Sequence, residues 1–254
     1  MIRLPLLDEH APGRFPDPHT ALEEPNGLLA FGGDLSPARL KTAYALGIFP
    51  WFNADEPILW WSPDPRCIFH TASLRPNRSL RRSLAEKNWR VTVDRAFGQV
   101  MRACAAPRPK QSGTWISRAM IDAYGALHDQ GYAHSVEVWE DDRLVGGVYG
   151  VSIGRLFCGE SMFSTCSGGS KLALCALAAL LRRWQFPLID AQVGNPHLLG
   201  LGAVEIPRSV FLDAIEDLVT APFDLQQWKN VPPTSSSQVL LGDDFTIPDA
   251  GQAP

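Results

Sequence analysis

Apolar positions along this chain change their period several times, and each change marks a different kind of element. Ser36-Pro37 has the form of a helix start, with the serine as cap and the proline in the first turn. Leu40, Ala43 and Tyr44 then recur at helical spacing, and Gly47 supplies a stop. Next, Ile48 to Phe52 and Leu59 to Arg66 set Trp51, Trp60 and Trp61 among prolines, which predicts rigid extended chain. A helical pattern over Arg78 to Lys87 leads into the alternating strand Trp89 to Val93. A helix capped by Asp94 follows, with Ala96, Phe97, Val100, Met101 and Cys104 facing inward. Beyond the basic, breaker-rich loop from Pro107 to Gly113, Ser117 caps another helix. Its Ile121, Tyr124, Leu127 and His128 share a face, and Gly131 ends it. From Ser135 the period falls to two. Strands over Ser135 to Glu140, Leu144 to Ile153 and Leu156 to Phe163, joined at Asp141-Asp142 and Gly154, predict an antiparallel meander. A buried helix from Lys171 to Trp184, a buried strand from Leu188 to Val193 and an amphipathic helix from Ser209 to Val219 complete the pattern. Strand, helix, strand at this spacing implies a crossover to a parallel neighbour.

The order predicts an α+β fold without internal repeats. Past Pro233 the Ser/Thr/Gly/Pro-rich tail has little to bury and is expected to be disordered. A hydrophobic fraction of 45% over 254 residues supports a sizeable core. The net charge of −4 excludes a uniformly basic nucleic-acid coat, so any RNA contact must come from a local patch. Cys67, Cys104, Cys158, Cys166 and Cys175 contain no Cys-x-x-Cys pair and read as reduced thiols. The start meets Asp8 and Glu9 too early for a signal peptide, and Leu172 to Leu181 is about half of a membrane span. A cytoplasmic monomer is expected.

Asp190 and Gln192 alternate along one strand, so both side chains are expected on the same face. Glu160 stands between Gly159 and Ser161 in an otherwise apolar strand, where an unpaired carboxylate costs free energy. Each also fits a satisfied structural polar group at a strand end. Gly168-Gly169-Ser170-Lys171 precedes a helix but completes neither a P-loop nor G-x-G-x-x-G, and reads as an ordinary loop with a serine cap. The histidines show no metal-ligand spacing, so no metal is expected. Arg78, Arg81 and Arg82 fall on one helical face, suited to phosphates or simply to solvent. Trp51, Trp60, Trp61 and Trp115 suit either base stacking or a core.

Taken in order, these stretches resemble the leucyl/phenylalanyl-tRNA-protein transferases of bacteria. The resemblance rests on Glu24-Pro25-Asn26-Gly27, Gly32-Gly33-Asp34-Leu35-Ser36-Pro37, Gly47-Ile48-Phe49-Pro50-Trp51-Phe52 and Trp60-Trp61-Ser62-Pro63-Asp64-Pro65-Arg66. It continues through Gly113-Thr114-Trp115-Ile116, His134-Ser135-Val136-Glu137-Val138-Trp139, Phe157-Cys158-Gly159-Glu160-Ser161-Met162-Phe163 and Leu188-Ile189-Asp190-Ala191-Gln192-Val193. The sequence departs from the family pattern at Thr165 to Gly169 and at Gly200. The resemblance implies a small amino-terminal domain over 1–66 and a domain of the GCN5-related acetyltransferase (GNAT) type over 67–232, with 233–254 as the tail. It implies transfer of Leu, Phe or Met from aminoacyl-tRNA to proteins beginning with Arg or Lys, marking them for degradation, with no cofactor. It sets Trp51 and Trp115 at the terminal adenosine, and Val148, Phe157, Met162, Leu174, Leu177 and Ile189 around the donor side chain. Asp190 and Gln192 become the catalytic pair. A neutral amide is a very poor base, so Gln192 is expected to orient the reactants, while Asp190 holds Gln192 and favours the developing ammonium. Glu160 is assigned the cation of the acceptor's Arg or Lys, with Asn195 beside it, and Arg78, Arg81 and Arg82 the acceptor-stem phosphates. Two rivals remain open: an acetyl-CoA-dependent acyltransferase, if Gly168-Gly169 grips pyrophosphate, and a non-catalytic tRNA-binding module.

Overall fold

The computed structural model describes residues 4–84, 87, 89–107 and 114–235. Residues 108–113 of the loop expected over Pro107 to Gly113, residues 85 and 86 of the helix expected to reach Lys87, and the tail over 236–254 lie outside them. Among the described residues the strands form two sheets. The smaller contains β1 (Leu6–Leu7), β2 (Leu28–Gly32), β3 (Phe49–Pro50) and β4 (Leu59–Trp61) in the order β1-β2-β4-β3. The proline- and tryptophan-rich segments are thus short paired strands, with Phe49 opposite Trp61 and Pro50 opposite Trp60. Between β2 and β3 lies α1 (Pro37–Ala45), whose Ser36 cap accepts from the Arg39 amide. Gly47 follows with φ +70°, the left-handed conformation that a chain leaving a helix takes cheaply only with glycine.

The larger sheet contains β5 (Arg66–His70), β6 (Arg90–Val93), β7 (Ala133–Glu140), β8 (Arg143–Ile153), β9 (Leu156–Ser164), β10 (Leu188–Gln192), β11 (Val204–Ile206) and β12 (Thr234–Ser235). Its order is β11-β5-β10-β9-β8-β7-β6-β12. Strands β7 to β9 form the expected antiparallel meander, β6 adds to it antiparallel to β7, and α5 (Gly169–Arg183) carries the chain across to β10, parallel to β9. The remaining helices are α2 (Arg78–Leu84), α3 (Phe97–Ala105), α4 (Arg118–Asp129), α6 (Pro196–Gly200), α7 (Arg208–Thr220) and α8 (Gln226–Lys229). One core joins the small sheet and α1, α3, α4 and α7 to one face of the large sheet, through Trp60, Tyr44, Met101, Tyr124 and Phe211. On the other face, Leu172, Leu177 and Leu181 of α5 pack with Val136, Val148, Trp89 and Trp228.

Several expectations are corrected. Asp94 does not cap α3. It takes φ +56°, accepts from the Ser135 amide at 2.8 Å and lies 2.7 Å from His134 Nδ1. The start of α3 is instead served across the sheet by Glu137, which accepts from the Ala96 amide at 3.4 Å. On α4, Met120 and Ala123 join Tyr124 and Leu127 in the core, whereas His128 stays partly exposed and stacks on Phe97 at 4.3 Å. Ser170 does not cap α5: Gly168 holds that position with φ +98° and no side-chain bond. Here α5 presses so closely on β8 that a Cβ on Gly146 would collide with the Gly169 backbone. Strand β11 and helix α6 went unread because each is too short for period to separate it from loop, and β5 because its continuous apolar run Cys67-Ile68-Phe69 shows no alternation. Thr234 and Ser235, assigned to the disordered tail, pair with β6 as β12.

Candidate active site

Strand β10 runs between β5 and β9, and Asp190 at its middle is completely buried. Two nitrogens of Arg66 on β5 donate to it in a fork, Nε to Oδ1 at 2.8 Å and Nη2 to Oδ2 at 2.6 Å. The third, Nη1, donates to the Gly47 carbonyl at 2.9 Å. The rings of Phe49 and Phe211 lie 5.0 and 4.5 Å from the guanidinium carbon. A charge pair this dry persists because each guanidinium nitrogen and both carboxylate oxygens have a hydrogen-bond partner.

Past Asp190 the strand slips register against β5, and Gln192 takes φ +62°. The simple alternation expected for Asp190 and Gln192 is therefore interrupted by a bulge. Asp190 Oδ1 accepts the Gln192 backbone N–H at 2.9 Å, so the acid fixes the bulge through the main chain. The Gln192 side chain turns to Glu160, donating from Nε2 to Oε1 at 2.7 Å. Glu160 sits at a second irregularity, where Tyr149 pairs with Ser161 but Gly150 pairs with Gly159. The Tyr44 hydroxyl also lies 2.8 Å from Glu160 Oε1 and the Tyr124 hydroxyl 3.1 Å from Oε2, each within hydrogen-bonding distance, and those two hydroxyls are hydrogen-bonded to each other. Burial is the largest influence on Glu160. It lifts the carboxyl to about 7 against the opposing hydrogen bonds from Tyr44, Gln192 and Tyr124, and the Asp190 charge adds to the rise. Burial, reinforced by the Glu160 charge, also holds Tyr44 and Tyr124 well above the usual phenol range.

Three cavities meet here, each lined by both Glu160 and Leu198. The smallest, about 80 Å³, is apolar. Val148, Met162, Leu174, Leu177 and Ile189, which the family resemblance groups together, line it with Phe69 and Leu198, which it did not name. Phe157 does not line it: the ring lies in the core behind, 5.7 Å from Trp228, because β9 turns that position toward α8. The second cavity, about 360 Å³, brings Trp51 and Trp115 together with Phe49, Gln192 and Asn195. Trp51 is 44% exposed, an unusual state for an indole, and leans on Trp61 at 5.7 Å. The third, about 780 Å³, opens beyond Glu160 past Ser164, Ser170, Asn195 and His197. Asp190 lines none of the three. Asn195 does face two of them, while its Oδ1 caps α6 by accepting from the Leu198 amide at 3.0 Å. Arg78, Arg81 and Arg82 stand apart on the exposed side of α2, opposite the buried Leu80 and Leu84. Among the described residues no cluster of three His, Cys, Asp or Glu could hold a metal ion, and no helix is long and apolar enough to cross a membrane.

The family model described as "Leucyl/phenylalanyl-tRNA protein transferase" matches residues 68–216, and the model of its N-terminal domain matches residues 33–64. The chain belongs to the leucyl/phenylalanyl-tRNA-protein transferase family. A relative of that name from Cellvibrio japonicus is 54% identical over 220 residues, covering 86% of this chain and 94% of its own length. Another, from Xanthomonas axonopodis pv. citri, is 56% identical over 218 residues, covering 85% and 88%. Among solved structures, L-PGS from Bacillus licheniformis aligns over 74% of this chain and 61% of its own at 11% identity. Its TM-score of 0.37 is too low to establish a shared fold.

In this member of the leucyl/phenylalanyl-tRNA-protein transferase family, the residues that sequence reading overlooked are Tyr44, Arg66, Phe69, Tyr124 and Leu198. Tyr44 and Tyr124 were legible as members of apolar helix faces. A phenol on such a face needs a hydrogen-bond partner once buried, and that was the available signal. Arg66, entering the apolar run Cys67-Ile68-Phe69, gave the same kind of signal: a buried charge demands a counter-charge.

Proposed function

We propose that this protein transfers Leu, Phe or Met from aminoacyl-tRNA to the α-amine of proteins beginning with Arg or Lys, in the cytoplasm, as a step toward their degradation. The observation that carries this reading is the convergence of an apolar cavity, an aromatic cavity and a wide polar cavity on Glu160. One takes a greasy side chain, one a nucleobase, and one leaves room for an incoming polypeptide. The meander, crossover helix and parallel strand support a GNAT-type larger domain over 67–232, with 1–66 as a smaller partner domain.

The donor is an ester, already activated relative to the amide formed, so the step needs neither ATP nor a cofactor to drive it. The acceptor amine has a reference pKa of about 8, so roughly a tenth is neutral at pH 7 and positioning matters most. Trp51 and Trp115 stack on the terminal adenosine. Val148, Met162, Leu174, Leu177 and Ile189, with Phe69 and Leu198, enclose the donor side chain. Flexible Met162 adapts to Leu, Met or Phe, whereas β-branched donors clash near the ester. Gln192 orients amine and carbonyl, and Asp190 acts through it, by holding its backbone in the bulge. Glu160 and Asn195 meet the acceptor's amino terminus. A carboxyl lifted to about 7 is a weak counter-ion at neutral pH, so Glu160 is better matched to the α-amine than to the Arg or Lys side chain. Arg78, Arg81 and Arg82 serve the tRNA phosphates without reading sequence.

The acetyl-CoA alternative needs free amides at the start of α5. There Ser170 N–H already donates to Ser164 Oγ at 3.2 Å, and Gly169 N–H to the Cys166 carbonyl at 3.4 Å. Incubating the protein with labelled Phe-tRNA, labelled acetyl-CoA and an Arg-initiated peptide separates the readings. Phenylalanylated peptide is expected. Acetylated peptide, or tRNA bound without turnover, would overturn the proposal.

A further inference from the structure

Tyr44 on α1, Tyr124 on α4 and Glu160 on β9 form a closed triangle of two hydroxyls and a carboxyl: Tyr44 to Glu160 Oε1 at 2.8 Å, Tyr124 to Oε2 at 3.1 Å, and phenol to phenol. Each side of the triangle requires one hydrogen lying between two oxygens. Two phenols supply two. A third is present only when Glu160 carries its own proton, as a ring in which Glu160 donates to Tyr124, Tyr124 to Tyr44, and Tyr44 back to the other carboxyl oxygen. Ionised Glu160 leaves the triangle one hydrogen short, and acidic Glu160 completes it. Gln192 adds an N–H to Oε1 in either state and cannot make up the deficit.

Resting on the transferase reading above, we propose that Glu160 is the proton shuttle of the reaction, and that Tyr44 and Tyr124 are positioning residues that set how firmly it holds the proton. The amine lone pair forms the new C–N bond at the ester carbonyl carbon. One proton leaves that nitrogen for the ionised carboxyl, completing the triangle. The bond from carbon to the ribose oxygen breaks, its electron pair stays on that oxygen, and Glu160 returns the proton there. Glu160 ends as it began, and the balance involves no other reactant.

The place of Glu160 suits this task, since it lines both the aromatic cavity and the apolar one, between which the ester carbon must sit. A carboxyl lifted to about 7, chiefly by burial, both accepts and releases a proton near neutrality. The titratable neighbours on the packed elements are Tyr44, Tyr124, Tyr149 on β8, Cys158 on β9, and Asp190 on β10, whose charge is paired with Arg66 on β5. Burial raises the phenols of Tyr44, Tyr124 and Tyr149 and the Cys158 thiol well above their ordinary values, so none of these competes for the proton near pH 7.

The test is the single-turnover rate of phenylalanine transfer from Phe-tRNA to a saturating Arg-initiated peptide, followed from about pH 5.5 to 9, a span bracketing both titrations. Wild type should rise through an inflection near 7, the value to which Glu160 is lifted. Glu160→Gln should lose about 100-fold or more and keep only the acceptor amine's own titration. Its donor KM should stay within about threefold. Tyr44→Phe and Tyr124→Phe each change the hydrogens available to the triangle and should displace the inflection, which a merely structural tie between helices and sheet would not do. An infrared carboxylic-acid C=O band, absent from Glu160→Gln, should fade in wild type across the same range. Failure of wild type to transfer would sink the transferase reading itself. Transfer that survives in Glu160→Gln within about threefold, or an inflection unmoved in both phenylalanine variants, would sink the shuttle alone.

Discussion

Asp190 and Glu160 lie on neighbouring strands, yet their surroundings are opposite. Asp190 meets a guanidinium fork in a dry pocket between two phenylalanines and opens on no cavity. Glu160 meets only neutral donors, two phenols and an amide, and opens on three. A fixed counter-charge makes a carboxylate part of the framework, whereas neutral partners leave its proton negotiable. The contrast teaches that nearness to a site and participation in it are different properties. Asp190 shapes the loop that carries Gln192, and Glu160 faces the space where substrates fit.

The largest expected effect breaks the Asp190 side of this contrast. Asp190→Asn leaves the Arg66 guanidinium buried without its counter-charge and should lower stability by about 3–5 kcal/mol, read from urea unfolding. Loss of turnover in a variant as stable as wild type would instead make Asp190 a direct participant. Glu160 should behave in the reverse way. Its folded value of about 7 exceeds the ordinary 4.5, so the folded chain binds this proton more tightly than the unfolded chain. The resulting stabilisation is complete below 4.5 and is lost as pH rises to about 7, by up to ~3 kcal/mol. Glu160→Gln removes that loss, so its stability relative to wild type should climb across the window. A difference between the two proteins that does not vary with pH would contradict this. The smallest effect tests the apolar cavity that adjoins Glu160. Met162→Ala should change the ranking of Leu-, Phe- and Val-tRNA donors by about 1–3 kcal/mol in kcat/KM, and an unaltered ranking would remove Met162 from the donor pocket.

Much of the framework was legible because it is periodic. The meander, the long apolar helix and the parallel crossover announce themselves by alternation and by helical repeats. The apolar cavity did not: Val148, Met162, Leu174, Leu177 and Ile189 were grouped by the family resemblance and not by any period. Phe157, grouped with them by the resemblance, lies against Trp228 instead, because a resemblance carries a residue's position but not the direction its ring takes across a sheet. Phe69 was missed because β5 is a continuous apolar run without alternation, and Leu198 because α6 is too short to show any period. Gln192 illustrates the same limit: alternation set it beside Asp190, and a bulge that no pattern encodes turned it toward Glu160.

By itself the sequence determined the order of strands and helices, the α+β class, the family, and the presence of two acids in apolar strands, because these depend on neighbours close along the chain. Only the tertiary structure decided which acid is locked and which is free. Arg66 lies 124 residues from Asp190, Tyr44 lies 116 from Glu160, and Tyr124 lies 36 away. The protonation of a buried carboxyl is set by whatever folding brings within about 3 Å of it, and no local pattern records that.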